Sequence, residues 1–516
     1  MSYSPTLGSS ITNTKMRTPN NISDLSGMCA LCSANCIGYC EIGLSAVRGA
    51  EAIYPYRTDQ NQFASEKKYP LDFSSLNING SVFGAKGCIK DANEATFPLV
   101  NIETEFGLEN KVKLKAPIIL PAIAKLNWED YYGGAALSGI AVVIGEDVIS
   151  KDKNLVLENG KVKKAPLIEE MILSYRKYQD GYGDIVLQAN YDDEELGVLD
   201  YAINELGVES VELKFGQAAK GIQGMGPVKT LEDAIKFKKR GYIVYPNPLD
   251  KEVVEKYNNG MGPVFEKIGK LPMWEEDELK TRIARLREMG AKRICFKTGP
   301  FDPKDLNRMI KIAIDNKIDL ITFDGAGGGS GNSPTKMMNE WGIPTLELES
   351  IVYKIIRAYK NKGCLVPQIA IAGGFVMEDQ VFKGLALGAP FINLVAIGRA
   401  AMTAALVGKQ IGECVLNNEI PKEYKRFGND LDLIFADRHL LKQKYSNYKE
   451  ISLGAVGLFS YINRLSVGLK QLMALNRKFN LESIEREDIV PLTEYCKKVT
   501  GLDTYSDRVE KIISEI

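Results

Sequence analysis

The chain has 516 residues, a formal net charge of −1 and a single histidine, His439. The charge balance gives no basic footprint for nucleic acid, and no apolar run of about 18 residues is available to cross a membrane. One histidine leaves almost no room for a histidine-ligated metal or a histidine base, and His439, in a basic stretch, reads as a surface or helix-end residue.

In chain order, the first 24 residues are polar, lack an apolar signal segment and predict a cytoplasmic protein in a reducing compartment. Next comes "CALCSANCIGYC", which sets Cys29, Cys32, Cys36 and Cys40 at spacing C-x2-C-x3-C-x3-C. Four thiolates this close suit an iron–sulfur cluster, [4Fe–4S] first, with small residues between them for a tight wrap. A structural zinc ranks second, since its knuckles are usually further apart, and incidental thiols third. Residues 1–95 are therefore read as an N-terminal extension built around this motif.

From residue 116 short apolar runs alternate with helical stretches. The runs cover 116–122, 141–147, 184–190, 210–216, 294–299, 320–325, 368–374 and 391–398. Near-continuous apolar strands separated by helices predict a parallel sheet covered on both faces, and eight such units predict an α/β, (β/α)8 barrel over residues 96–425. The stretch between the fourth and fifth runs, 217–293, is too long for one helix and is read as an enlarged loop at the catalytic face. Residues 426–516 carry helical patterning and form a C-terminal tail expected to pack outside the barrel or against another subunit.

The polar residues gather at the C-terminal ends of these strands, where such barrels keep their chemistry. "IAGGF" ends the seventh strand with Gly373 and Gly374, and "AIGRA" ends the eighth with Gly398 and Arg399. Glycine amides followed by a helix N-terminus suit a phosphate. "ITFDGAGGGSGNSP" follows the sixth strand, and its Gly327 and Gly328 would let the backbone lie against a planar ring. Lys297, ending "ICFK", suits the edge of a flavin, where negative charge develops on reduction.

These residues fall into a pattern. Residues 95–425 resemble the FMN-binding synthase domain of glutamate synthases in its stand-alone form. The motifs are "VIGEDV" after the second strand, "LKFGQAAKGIQGMGPVKTLED" after the fourth, "CFKT" at the fifth, "FDGAGGGSGNSP" after the sixth and "GGFVMEDQVFKGLALGAP" after the seventh. The resemblance implies FMN held by Gln188, Lys297, Gly373, Gly374, Gly398 and Arg399. It implies a 2-oxo acid gripped by Glu146, Lys214, Gln217 and Lys220, and chemistry centred on Lys297, Asp324 and Glu146. The family reaction condenses ammonia with 2-oxoglutarate and reduces the imine with hydride from FMN, giving glutamate. The chain departs from the family where a substrate-facing glutamine is replaced by Gly226 and the histidine of "GHDGG" by Phe323. The family's iron–sulfur triad after the barrel is missing, which makes the N-terminal cysteines the expected electron inlet, fed by ferredoxin or a donor subunit. Ammonia is expected free or from a separate glutaminase subunit, and the assembly as a homo-oligomer. A methylamine–glutamate N-methyltransferase-type FMN subunit, and a diverged flavin and iron–sulfur electron-transfer protein, are the alternatives.

Overall fold

The computed structural model describes residues 41–54, 65, 67, 69–87, 91, 93–123, 128–222, 224–329 and 333–516. The four N-terminal cysteines lie outside them. Eight parallel strands close a barrel: β1 (Ile118–Ile123), β2 (Ala141–Ile144), β3 (Ile185–Ala189), β4 (Ser210–Lys214), β5 (Arg293–Thr298), β6 (Leu320–Asp324), β7 (Gln368–Ala372) and β8 (Ile392–Ala396). Each lies inside one of the eight predicted runs or overlaps it, and β8 returns to pair with β1 through Val395↔Ile118 and Ala396↔Ile119.

The runs read as continuously apolar because both faces are buried. Residues of one parity, among them Ile294, Phe296, Ile321, Phe323, Ile369 and Ile371, belong to the core between strands and helices. The other parity fills the barrel with Ile119, Val143, Val186, Cys295, Leu320, Ala370 and Leu394. A hairpin of Thr104–Phe106 and Val112–Leu114 closes the lower end, putting Phe106 and Leu114 into that interior. Arg293 seals the same end, donating to Asp184 Oδ2 at 3.0 Å, Ser210 Oγ at 2.6 Å and Asn110 O at 3.1 Å. The floor is thus packed and its polar groups are paired, which leaves the upper end as the open one.

Helices follow in turn: α1 (Trp128–Ser138), α2 (Pro166–Arg176), α3 (Val198–Leu206), α4 (Glu276–Glu288), α5 (Pro303–Asp315), α6 (Thr345–Asn361), α7 (Glu378–Gly388) and α8 (Arg399–Leu416). Local chemistry sets their starts. Asp302 caps α5 by accepting from Lys304 N at 2.9 Å, with Pro303 at the first helical position, where its missing N–H costs nothing.

The enlarged loop after β4 is a small layer of its own. Strands Met225–Val228, Phe265–Ile268 and Ile243–Tyr245 pair antiparallel, and helix Leu231–Lys239 covers them over a core of Val228, Ala234, Val244 and Phe265. The tail contributes α9 (Leu453–Leu475), which packs on α1 and α8. It also contributes residues 489–491, paired with Leu76–Ile78 from before the barrel. His439 is exposed in the first turn of Arg438–Lys444, as its sequence context predicts.

Candidate active site

Strand register brings the predicted residues to the open end. Gln188 stands opposite Glu212, Lys214 opposite Lys297, Lys297 opposite Thr322, and Asp324 opposite Ala372. Side chains two residues apart on a strand share a face. The upper interior is therefore lined by Gln188 on β3, Glu212 and Lys214 on β4, Lys297 on β5, Thr322 and Asp324 on β6, Ala372 on β7 and Ala396 on β8.

One wall is charged. Lys214, fully buried, forms an ion pair with Glu146 Oε1 and donates to Gln217 Oε1 at 2.7 Å. Lys220 Nζ reaches the same Glu146 oxygen at 3.7 Å. Burial pushes the Glu146 carboxyl up, but Lys214, Lys220 and Lys297 outweigh it and hold the group well below the usual carboxylate range. Burial pushes the Lys214 ammonium down, further than its bond to Glu146 restores it. Both stay ionised at neutral pH. Lys297 is 4% exposed and, among the described residues, has no acid within ion-pair distance. The mouth thus holds a buried lysine that acts across space on Glu146 and Glu212 without forming an ion pair with either.

Asp324 is a tie. Its Oδ2 accepts from Ala218 N at 3.1 Å, fixing the turn that carries Gln217 and Lys220 to the end of β6. Asp324, expected in the chemistry, stands at the upper end of β6 and holds this turn.

The opposite wall is built from small residues. Ala372 pairs with Ala396, so the turns after β7 and β8 start side by side. Gly374 has φ +95°, is exposed, and has no atom within 4 Å of where a Cβ would stand. Gly398 meets only Pro121 Cγ at 3.4 Å and caps the start of α8, whose first residue Arg399 is exposed. Pro121 sits at a register break in β1, where its missing donor is tolerated. These positions offer an anion room and a helix N-terminus.

The other predicted glycines serve packing. A Cβ on Gly373 would lie 2.5 Å from Thr345 Oγ1 and 2.7 Å from Gly325 O. One on Gly327 would lie 3.1 Å from Gly373 O, and one on Gly328 2.9 Å from Asp324 Oδ1. Thr345 Oγ1 donates to Gly373 O at 2.8 Å, and Gly325 N to Ala372 O at 2.8 Å. The glycine loop after β6 and the turn after β7 are locked together at Thr345.

The departures read differently in three dimensions. Phe323 is fully buried with the outward parity of β6, in the core beneath the helices, so it faces away from the mouth. Gly226 lies on an insertion strand with open space around it. Glu212 escaped the sequence reading; the available signal was an ionisable residue two positions before Lys214 inside an otherwise apolar strand.

A separate cleft of about 610 Å³ opens on the barrel's flank beside Tyr191 and Trp274. Its wall is closed by Arg282 bonded to Glu194 Oε1 at 3.1 Å, and it holds none of the predicted residues. Among the described residues there is no cluster of three or more metal-ligating side chains, and no helix is long and apolar enough to cross a membrane.

Residues 270–419, from before α4 to just past α8, match the family described as conserved region in glutamate synthase. A glutamate synthase large subunit-like protein, YerD of Bacillus subtilis (strain 168), is 29% identical over 119 residues. That match spans 23% of this chain and 22% of the relative, about a fifth of its length. Solved structures with a similar course include a point mutant of an active chimera of (S)-mandelate dehydrogenase, 13% identical with a TM-score of 0.42. A soluble mutant of the membrane-associated (S)-mandelate dehydrogenase from Pseudomonas putida is 12% identical with a TM-score of 0.43. In both, the likeness covers 81% of this chain and 88% of the other, and nothing about this chain's chemistry follows from it.

Proposed function

We propose that this barrel, which carries a glutamate synthase conserved region over residues 270–419, is the synthase unit of an FMN-dependent oxidoreductase that makes L-glutamate. Its reaction is the reductive amination of 2-oxoglutarate: ammonia adds to the keto carbon, water leaves, and a hydride equivalent delivered to carbon with a proton to nitrogen saturates the C=N bond. The observation that carries the reading is the division of one barrel mouth. A wall of Glu146, Lys214, Lys220 and Lys297 faces a wall of Ala372, Ala396, Gly374 and Gly398.

The residues fit the cofactor. Gly374 and the start of α8 at Gly398 and Arg399 would hold the phosphate by backbone amides and helix dipole. The alanine wall leaves space for a flat ring, with Lys297 as the cation beside it and Gln188 as an amide contact. Bound FMN supplies the electron pair as hydride equivalents. The chain's part is positional and electrostatic. Lys220 and Lys214 suit the two carboxylates of the oxo acid as point charges. Glu146 keeps both lysines in place between substrates. Asp324 holds the turn bearing Gln217 and Lys220 through Ala218 N. The insertion after β4 borders this rim and excludes water as the substrate settles.

Electrons would enter through an iron–sulfur cluster on Cys29, Cys32, Cys36 and Cys40, from ferredoxin or a donor subunit. Two facts favour a route near the mouth. Helix Glu41–Arg48 begins directly after Cys40, and Tyr54 Oη lies 3.9 Å from Met225 Sδ on the insertion. Ammonia would come free or from a partner glutaminase.

Anaerobically purified protein should show flavin bands above a broad iron–sulfur absorbance. It should form glutamate from 2-oxoglutarate, ammonium and reduced ferredoxin. Colourless protein that takes up no FMN on reconstitution would end the reading, and flavin bleaching without product would favour a diverged electron carrier.

A further inference from the structure

Deep in the mouth, Gln188 and Glu212 face each other from adjacent strands, each 1% exposed. We propose that Glu212 donates a carboxyl proton to the Gln188 side-chain oxygen, so that Gln188 turns its Nε2 amide, a donor, toward the ligand.

Three observations carry this. The contact between the two side chains is 2.5 Å. That is shorter than N–H···O bonds ordinarily are and falls within the O–H···O range. With the amide placed so that Nε2 meets Glu212, Gln188 Oε1 is buried with no partner at all. The two ends of an amide have nearly the same shape, so turning it over is sterically free. The turn makes the short contact an O–H···O bond and leaves Nε2, in place of Oε1, as the end that faces the ligand space. Third, no neighbour forms an ion pair with Glu212 among the described residues. Lys214 on β4 is committed to Glu146 and Gln217. Among the described residues Lys297 on β5 makes no ion pair with Glu212, Cys295 on β5 is a neutral buried thiol, and Glu146 after β2 is a like charge. Burial pushes the Glu212 carboxyl up, and Lys297, the Gln188 bond and Lys214 only partly offset it.

The consequence concerns what binds. A glutamine held this way accepts nothing from a ligand and offers an N–H, so the atom above it is an acceptor. If the flavin reading holds, on which this step rests, that atom is a carbonyl oxygen of the ring. Glu212 touches neither cofactor nor substrate and is a positioning residue.

The test has two arms. The first uses protein without cofactor: the infrared difference between wild type and Glu212→Gln at neutral pH. The carbonyl stretch of a protonated carboxyl should be present in wild type and absent from the variant. A folded variant whose spectrum shows no such difference overturns the proposal. The second arm titrates FMN. Glu212→Ala should weaken FMN about tenfold, the worth of one aligned hydrogen bond. Glu212→Gln, whose own amide can donate to Gln188 Oε1, should recover affinity to within about twofold. Wild-type affinity should fall as pH rises and Glu212 ionises, while Glu212→Gln should stay flat. If Glu212→Ala does not fold, that contrast in pH profile decides the matter, and equal profiles overturn the proposal. A carboxyl signal in a protein that binds no FMN would sink the flavin reading and leave the proton on Glu212 standing. FMN binding without the signal does the reverse.

Discussion

Glu146 and Lys214 show what a buried ion pair does in the wall of the barrel mouth. Each alone would be expelled from the barrel or lose its charge, and together they make a neutral pair. Replacing Glu146 by Gln leaves a wholly buried ammonium with amide oxygens but no carboxylate against it, which should cost about 3 kcal/mol of stability in denaturant unfolding. The pH dependence follows from direction. Glu146 is held below its unfolded value, so its contribution is present above the ordinary carboxylate range and is lost as pH falls through the lowered folded value. Glu146→Gln should therefore flatten the acid limb of the stability curve below about pH 4.5. A parallel acid limb in both proteins would show the pair to be weak. Lys297 makes the complementary case, a buried lysine with no ion pair among the described residues and, in the proposed reading, the flavin beside it. Lys297→Met should keep the fold and lower the reduction potential of bound FMN by about 30 mV or more, a tenfold change for a two-electron couple. An unchanged potential would take Lys297 away from the ring. Lys297 is legible because a polar residue ending an apolar run marks a strand's upper end, while Gln188 and Lys214 are legible through the family resemblance. Glu212 is not, because it stands two residues before Lys214 inside a run whose apolar character marks it simply as core.

Glycine-rich turns looked alike in sequence and divide in the structure. Gly373 and Gly374 are neighbours, both with positive φ, yet the first is walled in by Thr345 and Gly325 while the second faces open space. Gly373→Ala combines left-handed strain with a 2.5 Å clash on Thr345 Oγ1 and should cost about 3 kcal/mol in thermal or denaturant unfolding. Gly374→Ala carries the strain alone, about 1 kcal/mol, but places a methyl where a phosphate would lie and should weaken FMN about tenfold. Equal stability costs, or a Gly374→Ala variant with full affinity, would contradict this division. Sequence alone cannot separate the two, because what crowds Gly373 is Thr345 at the start of α6, 28 residues earlier in the chain, together with Gly325 of the loop after β6. The eight strands were legible for the opposite reason. Each is a local run of buried β-branched residues, and parallel pairing buries both faces, so no partner need be known to recognise them. The sheet within the insertion escaped, since its strands are three or four residues long and its exposed face is mixed.

At the scale of the molecule, the barrel, the segment before it and the tail after it share one packed surface. Leu76–Ile78 pairs antiparallel with residues 489–491, Lys86 bridges to Lys478 and Asn101 to Asn480. The contact of α9 with α8 is close enough that a Cβ on Gly408 would fall 2.8 Å from Gly457 Cα. A Cβ on Gly134 of α1 would likewise fall 2.8 Å from Leu458 Cβ of α9. Glycines facing one another let the helix backbones approach, and α9 buries Ala455, Leu458, Ile462, Leu465 and Leu469 in doing so. In sequence the tail is a helical stretch after the last strand, and a boundary at 425/426 is the natural reading. The packing joins the two sides, and the reason is long-range: no local signal tells which surface an amphipathic helix covers. The joint core has a measurable consequence. A chain ending at residue 452, with every barrel strand intact, loses the apolar cover of α1 and α8 and should be recovered as aggregate on size exclusion. If it were instead monodisperse with an unchanged melting midpoint, the tail would be an independent unit resting on a self-sufficient barrel. Supplying residues 453–516 as a separate chain during refolding should restore soluble protein, because α9 covers α1 and α8 where Gly134 and Gly408 admit it closely.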